Sequence, residues 1–322
     1  MTRRRTGVLI VLTTAATLAI VYFGVSALVL VSALMPRPSA HELRTPADDG
    51  MVAEALRFAS ADGVPLAGWL IPSCGTRAVI LVHGVDSYGW DGAQSDLARA
   101  YASAGFHVLI FDLRGHGHSG QDRLGLGWQE GGDVRAAVDL LLARGFQPGG
   151  IGIHGTSYGA AVALIAAASI RELGAVVADS AFADVRDLME VQIAERAAAP
   201  RWLSRLLVRP GIEQLARIMY GLDLAHIAPQ SRVAQIAPRP VFFIHGERDR
   251  VIPVEHARRL FDAANSILRL LWVLPGRDHT EGIRIGPAQE MPSPVRERYL
   301  SRVVDFFDRA LIPVGHGAVK RV

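Results

Sequence analysis

Ile151–Gly152–Ile153–His154–Gly155–Thr156–Ser157–Tyr158–Gly159 runs a short apolar strand into Gly-x-Ser-x-Gly, and the Ala-rich stretch Gly159–Ala168 follows directly. The order strand, pentapeptide, helix is what gives the motif weight, because it predicts a sharp turn that lifts one serine above a parallel sheet. A serine in a strained backbone region leaves no room for a β-carbon two residues to either side. Gly155 and Gly159 therefore let strand and helix approach, and Ala160 and Ala161 continue the close packing. The helix start directs its free N–H groups and positive dipole end at Ser157, where acyl transfer would develop negative charge. A second serine, Ser119 in Gly115–His116–Gly117–His118–Ser119–Gly120, has no helix after it and is read as loop.

Outward from this turn the chain alternates strand and helix. Val52–Phe58 and Leu66–Ile71 around Asp62–Gly63 predict an antiparallel hairpin. Ala78–Val82 is a continuous apolar run of the kind buried on both faces of a parallel sheet. A helix is expected over about Asp91–Ala104, a strand over His107–Asp112 and a helix over Trp128–Arg144. Beyond the serine, Ala175–Asp179, Pro240–Ile244 and Leu268–Leu274 supply three more strands. The pattern predicts an α/β fold, a mostly parallel sheet with helices on both faces. Residues 182–239 are too long for one crossover. The stretches Val185–Ala197, Trp202–Leu207 and Ile212–Met219 suggest a small helical cap insertion. There Leu206, Leu207, Ile218, Met219 and Tyr220 either line an apolar entrance or pack onto the body.

The first 36 residues differ in kind. Arg3, Arg4 and Arg5 precede an uncharged run from Thr6 to Pro36. About 28 residues at 1.5 Å each reach about 42 Å, enough to cross a hydrocarbon core of about 30 Å with tilt. The expectation is an N-terminal transmembrane helix, with the arginines cytoplasmic and the remainder outside the membrane. The alternative is a cleaved signal peptide and a secreted product, although the apolar run exceeds the usual core of such peptides. Residues 37–51 are expected as a linker, 52–312 as the folded domain and 313–322 as a disordered tail.

Composition excludes several function classes. The net charge of +3 equals the contribution of the three leading arginines, so the pI near 9.3 does not point to nucleic acid. Cys74 is the single cysteine, which rules out an intrachain disulfide and a cysteine zinc site. His83, His116, His118, His154 and His245 are scattered without ligand spacing and are expected to organise loops. No metal and no cofactor is expected.

A serine nucleophile needs a base, and the base an orienting acid. In this architecture they follow in the order acid, then histidine, at the carboxyl ends of strands. Asp249, in His245–Gly246–Glu247–Arg248–Asp249, is assigned as acid and His279 as base. Glu247, Asp278 and above all Asp179 are rival acids. The N–H groups of Tyr158 and Val85 are the expected oxyanion donors, Val85 by its position after His83–Gly84.

With His83–Gly84, Phe111–Asp112–Leu113–Arg114–Gly115–His116–Gly117–His118–Ser119, Gly155–Gly159, His245–Asp249 and His279 in this order, the chain resembles the α/β-hydrolase superfamily over about residues 52–310. Within it the chain looks like the membrane-associated serine hydrolases, among which acylglycerol, ester and acyl-protein thioester substrates are known. The resemblance implies an eight-stranded sheet and a Ser157–Asp249–His279 triad, and it carries no substrate. The expected activity is cleavage of a carboxylic ester or thioester of a small or lipid-like acyl substrate. The alternatives are acyl transfer or peptide cleavage on the same triad, or a noncatalytic membrane-tethered binding protein. Partners are expected to be that substrate and the membrane; the oligomeric state is open.

Overall fold

The computed structural model describes residues 2–36, 43–196, 200–283 and 294–312; the tail expected over 313–322 and the first part of the linker lie outside them. The residues divide into two compact units, one of Met1–Met35 with Val185–His226, the other of Pro36–Asp184 with Ile227–Val322.

The larger unit is built on an eight-stranded sheet. Its strands are β1 (Glu54–Ala59), β2 (Pro65–Ile71), β3 (Ala78–Val82), β4 (His107–Asp112), β5 (Ile151–Thr156), β6 (Leu173–Asp179), β7 (Val241–Gly246) and β8 (Arg269–Leu274). They lie in the order β1-β2-β4-β3-β5-β6-β7-β8. The β1–β2 hairpin is antiparallel and β2 meets β4 antiparallel, while every other pairing is parallel. β3, β4 and β5, central in the sheet, are buried at nearly every position because both faces are covered.

Side chains alternate between the faces with period two. Val79 and Leu81, Val108 and Ile110, and Phe242 and Ile244 point to one buried cluster with Trp90, Tyr101, Tyr299 and Phe307. The helices behind that cluster are α2 (Gly92–Ser103) and α10 (Pro294–Ala310); α3 (Glu130–Ala143), α4 (Tyr158–Ser169), α8 (Pro229–Arg232) and α9 (Glu255–Ala263) pack together as a second group. Asp91 caps α2 by accepting from the Gln94 N–H at 2.8 Å, which places the start of that helix one residue inside the expected boundary. Tyr299, Val303 and Phe307 recur every four residues and give α10 its buried stripe. Part of the stretch expected as linker folds as a short 3-10 turn, Pro46–Asp49, where Asp49 accepts from the Trp90 indole N–H at 2.8 Å.

A buried polar line crosses this core. The Tyr299 hydroxyl donates to Asp179 Oδ2 at 2.7 Å, so its oxygen accepts from His154 Nε2–H at 3.2 Å; His154 Nδ1 in turn accepts from the Tyr101 hydroxyl at 2.8 Å. His154 donates from one nitrogen and accepts at the other, which requires the neutral ring. Burial holds its pKa down at about 3.

The smaller unit contains α1 (Thr2–Leu34), α5 (Val185–Arg196), α6 (Arg201–Leu207) and α7 (Arg209–Tyr220). α1 is apolar and long enough from Arg5 to Leu34 to cross a membrane. α5, α6 and α7 are the helical insertion expected from sequence, whereas α8 belongs to the larger unit. Arg209 ties α7 to α5 by pairing with Glu190 at 2.6 Å, and within α7 it pairs with Glu213 at 2.9 Å. Leu206, Ile218 and Met219 are exposed, and the Leu207 side chain lies outside the described residues.

Two outcomes follow for stability. Phe307 is fully buried, and a Cβ on Gly152 would stand 2.5 Å from its ring. Phe307→Ala is expected to cost about 3–5 kcal/mol in urea unfolding. For His154 the unfolded state binds a proton below about pH 6.5 that the folded state refuses until about pH 3. Acid therefore favours unfolding, by up to about 1.4 kcal/mol per pH unit across that window. Urea unfolding of His154→Gln between pH 6 and 4 should show a correspondingly flatter loss of stability than the parent.

Candidate functional site

Ser157 stands between β5 and α4 with φ 56° and ψ −119°, a conformation that non-glycine residues adopt only when their surroundings impose it. The surroundings here are close backbone contacts. A Cβ on Gly155 would lie 2.1 Å from the Gly159 carbonyl oxygen, and one on Gly159 would lie 2.2 Å from that of Val82. The Ser157 N–H is tied to the Asp179 carbonyl at 2.7 Å. Strand, turn and helix are thus locked around the serine by contacts that only glycine permits.

His279 lies in the loop after β8, with Nε2 2.9 Å from Ser157 Oγ and Nδ1 2.7 Å from Asp249 Oδ2. The structure brings these three expected residues into one hydrogen-bonded chain. Asp249 follows β7 and is buried. Its Oδ1 accepts from the Val251 and Ile252 N–H groups at 2.9 and 2.7 Å. Burial alone would raise its pKa. Hydrogen bonds from His245, His279 and the Ile252 N–H outweigh that cost and hold the carboxyl well below the usual range. An ionised Asp249 fixes the proton of His279 on Nδ1 and leaves Nε2 as an acceptor for the serine hydroxyl.

His245 has a role beyond loop organisation. Its Nε2 faces the Ile252 carbonyl at 2.7 Å and Asp249 Oδ2 at 3.2 Å, so Nε2 carries the proton and supports the carboxylate from behind. Its place at the end of β7, four residues before Asp249, was the available sequence signal.

The rival acids are engaged elsewhere. Glu247 accepts from the Gly276 N–H at 2.8 Å. Asp278 accepts from the Arg250 and His279 N–H groups and pairs with the Arg250 side chain. Asp179 takes Tyr299 and Ser180 as donors, at 2.7 and 2.9 Å, and burial pushes its pKa up.

The loop after β3 passes directly beside the serine: a Cβ on Gly84 would stand 3.4 Å from Ser157 Cβ and 3.9 Å from Oγ. Two histidines set this loop. His83 Nε2 accepts from the Leu113 N–H at 3.0 Å, so its Nδ1 carries the proton and donates to the Gly84 carbonyl at 2.7 Å. Burial, with the neighbouring His116, lowers the pKa of His83 to about 4 and keeps it neutral. His116 Nε2 stands 2.8 Å from the Val85 carbonyl, and its ring packs edge-on against His83 at 4.9 Å between centroids. The Gly84 carbonyl, which precedes the Val85 N–H, is therefore held, and the Val85 carbonyl faces His116. Tyr158, the first residue of α4, is fixed by its hydroxyl, which accepts from the Gly127 N–H at 2.9 Å beside buried Glu130.

Ser119 is not a second site. Its hydroxyl donates to the Asp112 carbonyl at 2.6 Å and accepts from the Ala67 N–H at 2.9 Å. In the same loop the buried Arg114 pairs with Asp133 at 2.6 Å and with Asp62, in the hairpin turn, at 2.7 Å.

A strained serine above a parallel sheet, a singly oriented histidine and an ionised acid can activate a hydroxyl for acyl transfer. The comparisons with known proteins agree with that geometry. YqkD of Bacillus subtilis is 31% identical over 206 residues, which span 63% of this chain and just under two thirds, 65%, of that protein. YfhR of Escherichia coli K12 is 27% identical over 294 residues, 87% of this chain and 91% of that protein. Among solved structures, the Pyrococcus furiosus esterase Pf2001 superposes with a TM-score of 0.68 at 26% identity, covering 86% of this chain and 99% of the esterase. Residues 79–298 match the model of the alpha/beta hydrolase family, and the chain belongs to that family.

Proposed function

We propose that this protein is a serine hydrolase that cleaves carboxylic ester or thioester bonds of small or lipid-like acyl substrates through a Ser157–His279–Asp249 triad. The observation that carries the reading is the directed chain from Ser157 Oγ through both nitrogens of His279 to a carboxylate held ionised. Similarity to the esterase Pf2001 supports the same chemistry.

Ser157 Oγ attacks the acyl carbonyl carbon while His279 Nε2 takes its proton. The resulting imidazolium is stabilised by Asp249, which stays ionised. The carbonyl electron pair moves onto oxygen, and the oxyanion is met by the N–H groups of Tyr158 and Val85. Support for Tyr158 is its place in the open first turn of α4; support for Val85 is the contact of Gly84 with Ser157 and the Gly84 carbonyl held by His83. His279 then protonates the leaving alcohol or thiol, and the acyl-enzyme ester remains. A water that gives its proton to His279 attacks that ester and releases the carboxylic acid, returning the proton to Ser157.

In this proposal α1 is an uncleaved anchor, with Arg3–Arg5 on the cytoplasmic side and the catalytic unit outside. Its support is the apolar length of the helix.

The test is fluorophosphonate labelling together with hydrolysis of nitrophenyl esters. Ser157→Ala should abolish labelling and lower kcat by about 10⁶-fold. Asp249→Asn, which removes the charge that orients His279, should lower kcat by about 10⁴-fold with little change in KM. Labelling that survives Ser157→Ala in a folded protein would overturn the assignment.

A further inference from the structure

α1 changes character at Tyr22. From Arg5 to Val21 every residue is exposed, and from Tyr22 onward a stripe of four-residue spacing, Tyr22, Ser26, Leu30 and Leu34, turns inward. α7 packs on this second half. The contact is close: a Cβ on Gly211, in the first turn of α7, would stand 2.4 Å from Ser26 Oγ and 2.9 Å from the Tyr22 ring. A hydrocarbon core of about 30 Å takes up about 20 residues of helix, so a span that begins after Arg5 ends near Val25. The start of α7 therefore meets α1 at the level where the span leaves the lipid.

α6 ends only four residues before Gly211, joined to α7 through Val208 and the Pro210 at the start of that helix. It does not continue along α1, because Arg5–Val21 remain bare. Leu206 lies five and Trp202 nine residues before Gly211, so at 1.5 Å per residue α6 stays within about 14 Å of that level. Trp202 and Leu206, one helical turn apart, are 62% and 65% exposed, with the exposed Arg205 beside them. An indole, a leucine and an arginine on one outward face is the composition of a helix that lies in a membrane interface, with rings and apolar chains at the acyl boundary and the cation among headgroups. Ile218 and Met219, also exposed, sit two turns further along α7.

We propose that α6 is an interfacial helix, seated on the phospholipid surface beside α1 through Trp202, Arg205 and Leu206. The cap insertion is then held to the bilayer at two places, by its packing on α1 and by its own lipid contact. This inference rests on the reading of α1 as a membrane span, and the experiment separates the two. The full-length protein, in a Cys74→Ser background, is reconstituted in phosphatidylethanolamine–phosphatidylglycerol vesicles with a nitroxide on Leu18→Cys, Trp202→Cys or Leu206→Cys in turn. All three positions are exposed, and a melting temperature equal to that of the parent checks each fold. Collision rates with oxygen, which concentrates in lipid, are compared with those of a neutral nickel chelate, which stays in water. The proposal expects oxygen accessibility severalfold above that of the chelate at all three positions, with the largest ratio at Leu18. A lipid-exposed Leu18 with chelate-accessible labels at 202 and 206 would overturn the interfacial helix and leave the span standing. Labels at 202 and 206 shielded from both reagents would overturn it in favour of a covering protein surface, a second copy included. A chelate-accessible Leu18 would overturn the span and the interfacial helix together.

Discussion

The close approach of β5, α4 and the end of β3 around Ser157 is the constraint on which the remainder of the larger unit depends. A non-glycine residue at φ 56° is unfavourable by an amount on the order of 1–3 kcal/mol unless its neighbours leave no alternative. Here the alternative is removed by backbone on two sides, with Gly155 against Gly159 and Gly159 against Val82. The central, fully buried position of β5 between β3 and β6 makes that enclosure rigid. Strain at one residue is maintained by a sheet whose burial far exceeds it, and the result is a hydroxyl presented at the carboxyl edge of the sheet.

Direction of hydrogen bonding is the second ordering device, and it is set by groups that never meet the serine. Backbone N–H groups of Val251 and Ile252 hold Asp249 from one side and the His245 ring from another, so its charge is stable although the carboxyl is buried. That charge settles the proton on His279 Nδ1. In the same manner the Leu113 N–H settles the tautomer of His83, whose proton then fixes the Gly84 carbonyl beside the serine. The line Tyr101–His154–Tyr299–Asp179 follows this logic within the core and keeps Asp179 occupied. Histidines that look alike in the sequence thus have distinct duties, each decided by which partner reaches which nitrogen.

Much of this was legible in the residues. The strand–turn–helix around Ser157, the buried strand runs and the strand-end placement of Asp249 and His279 are local patterns, and local patterns survive folding. Boundaries shifted where tertiary contacts took over: β7 continues through His245 to Gly246 because β8 pairs with it that far. α9 and α10 went unread, although Tyr299, Val303 and Phe307 carry the spacing of a buried helical face. The Asp49 partner of Trp90 turned part of an apparent linker into packed structure. The second half of α1 was beyond sequence reasoning in principle, since a uniformly apolar helix gives no sign of which face meets protein; the Tyr22–Leu34 stripe shows only in the fold, where Gly211 of α7 closes on Tyr22 and Ser26.

The account stands or falls on Ser157 carrying the acyl group. Rapid-quench hydrolysis of a nitrophenyl ester, followed by mass analysis of the peptides, measures this directly. The expected result is a burst of about one nitrophenol per protein, with the acyl mass on the peptide that contains Ser157 and its decay matching steady-state turnover. A steady state without a burst and without any adduct, or an acyl group found on Ser119, would contradict it.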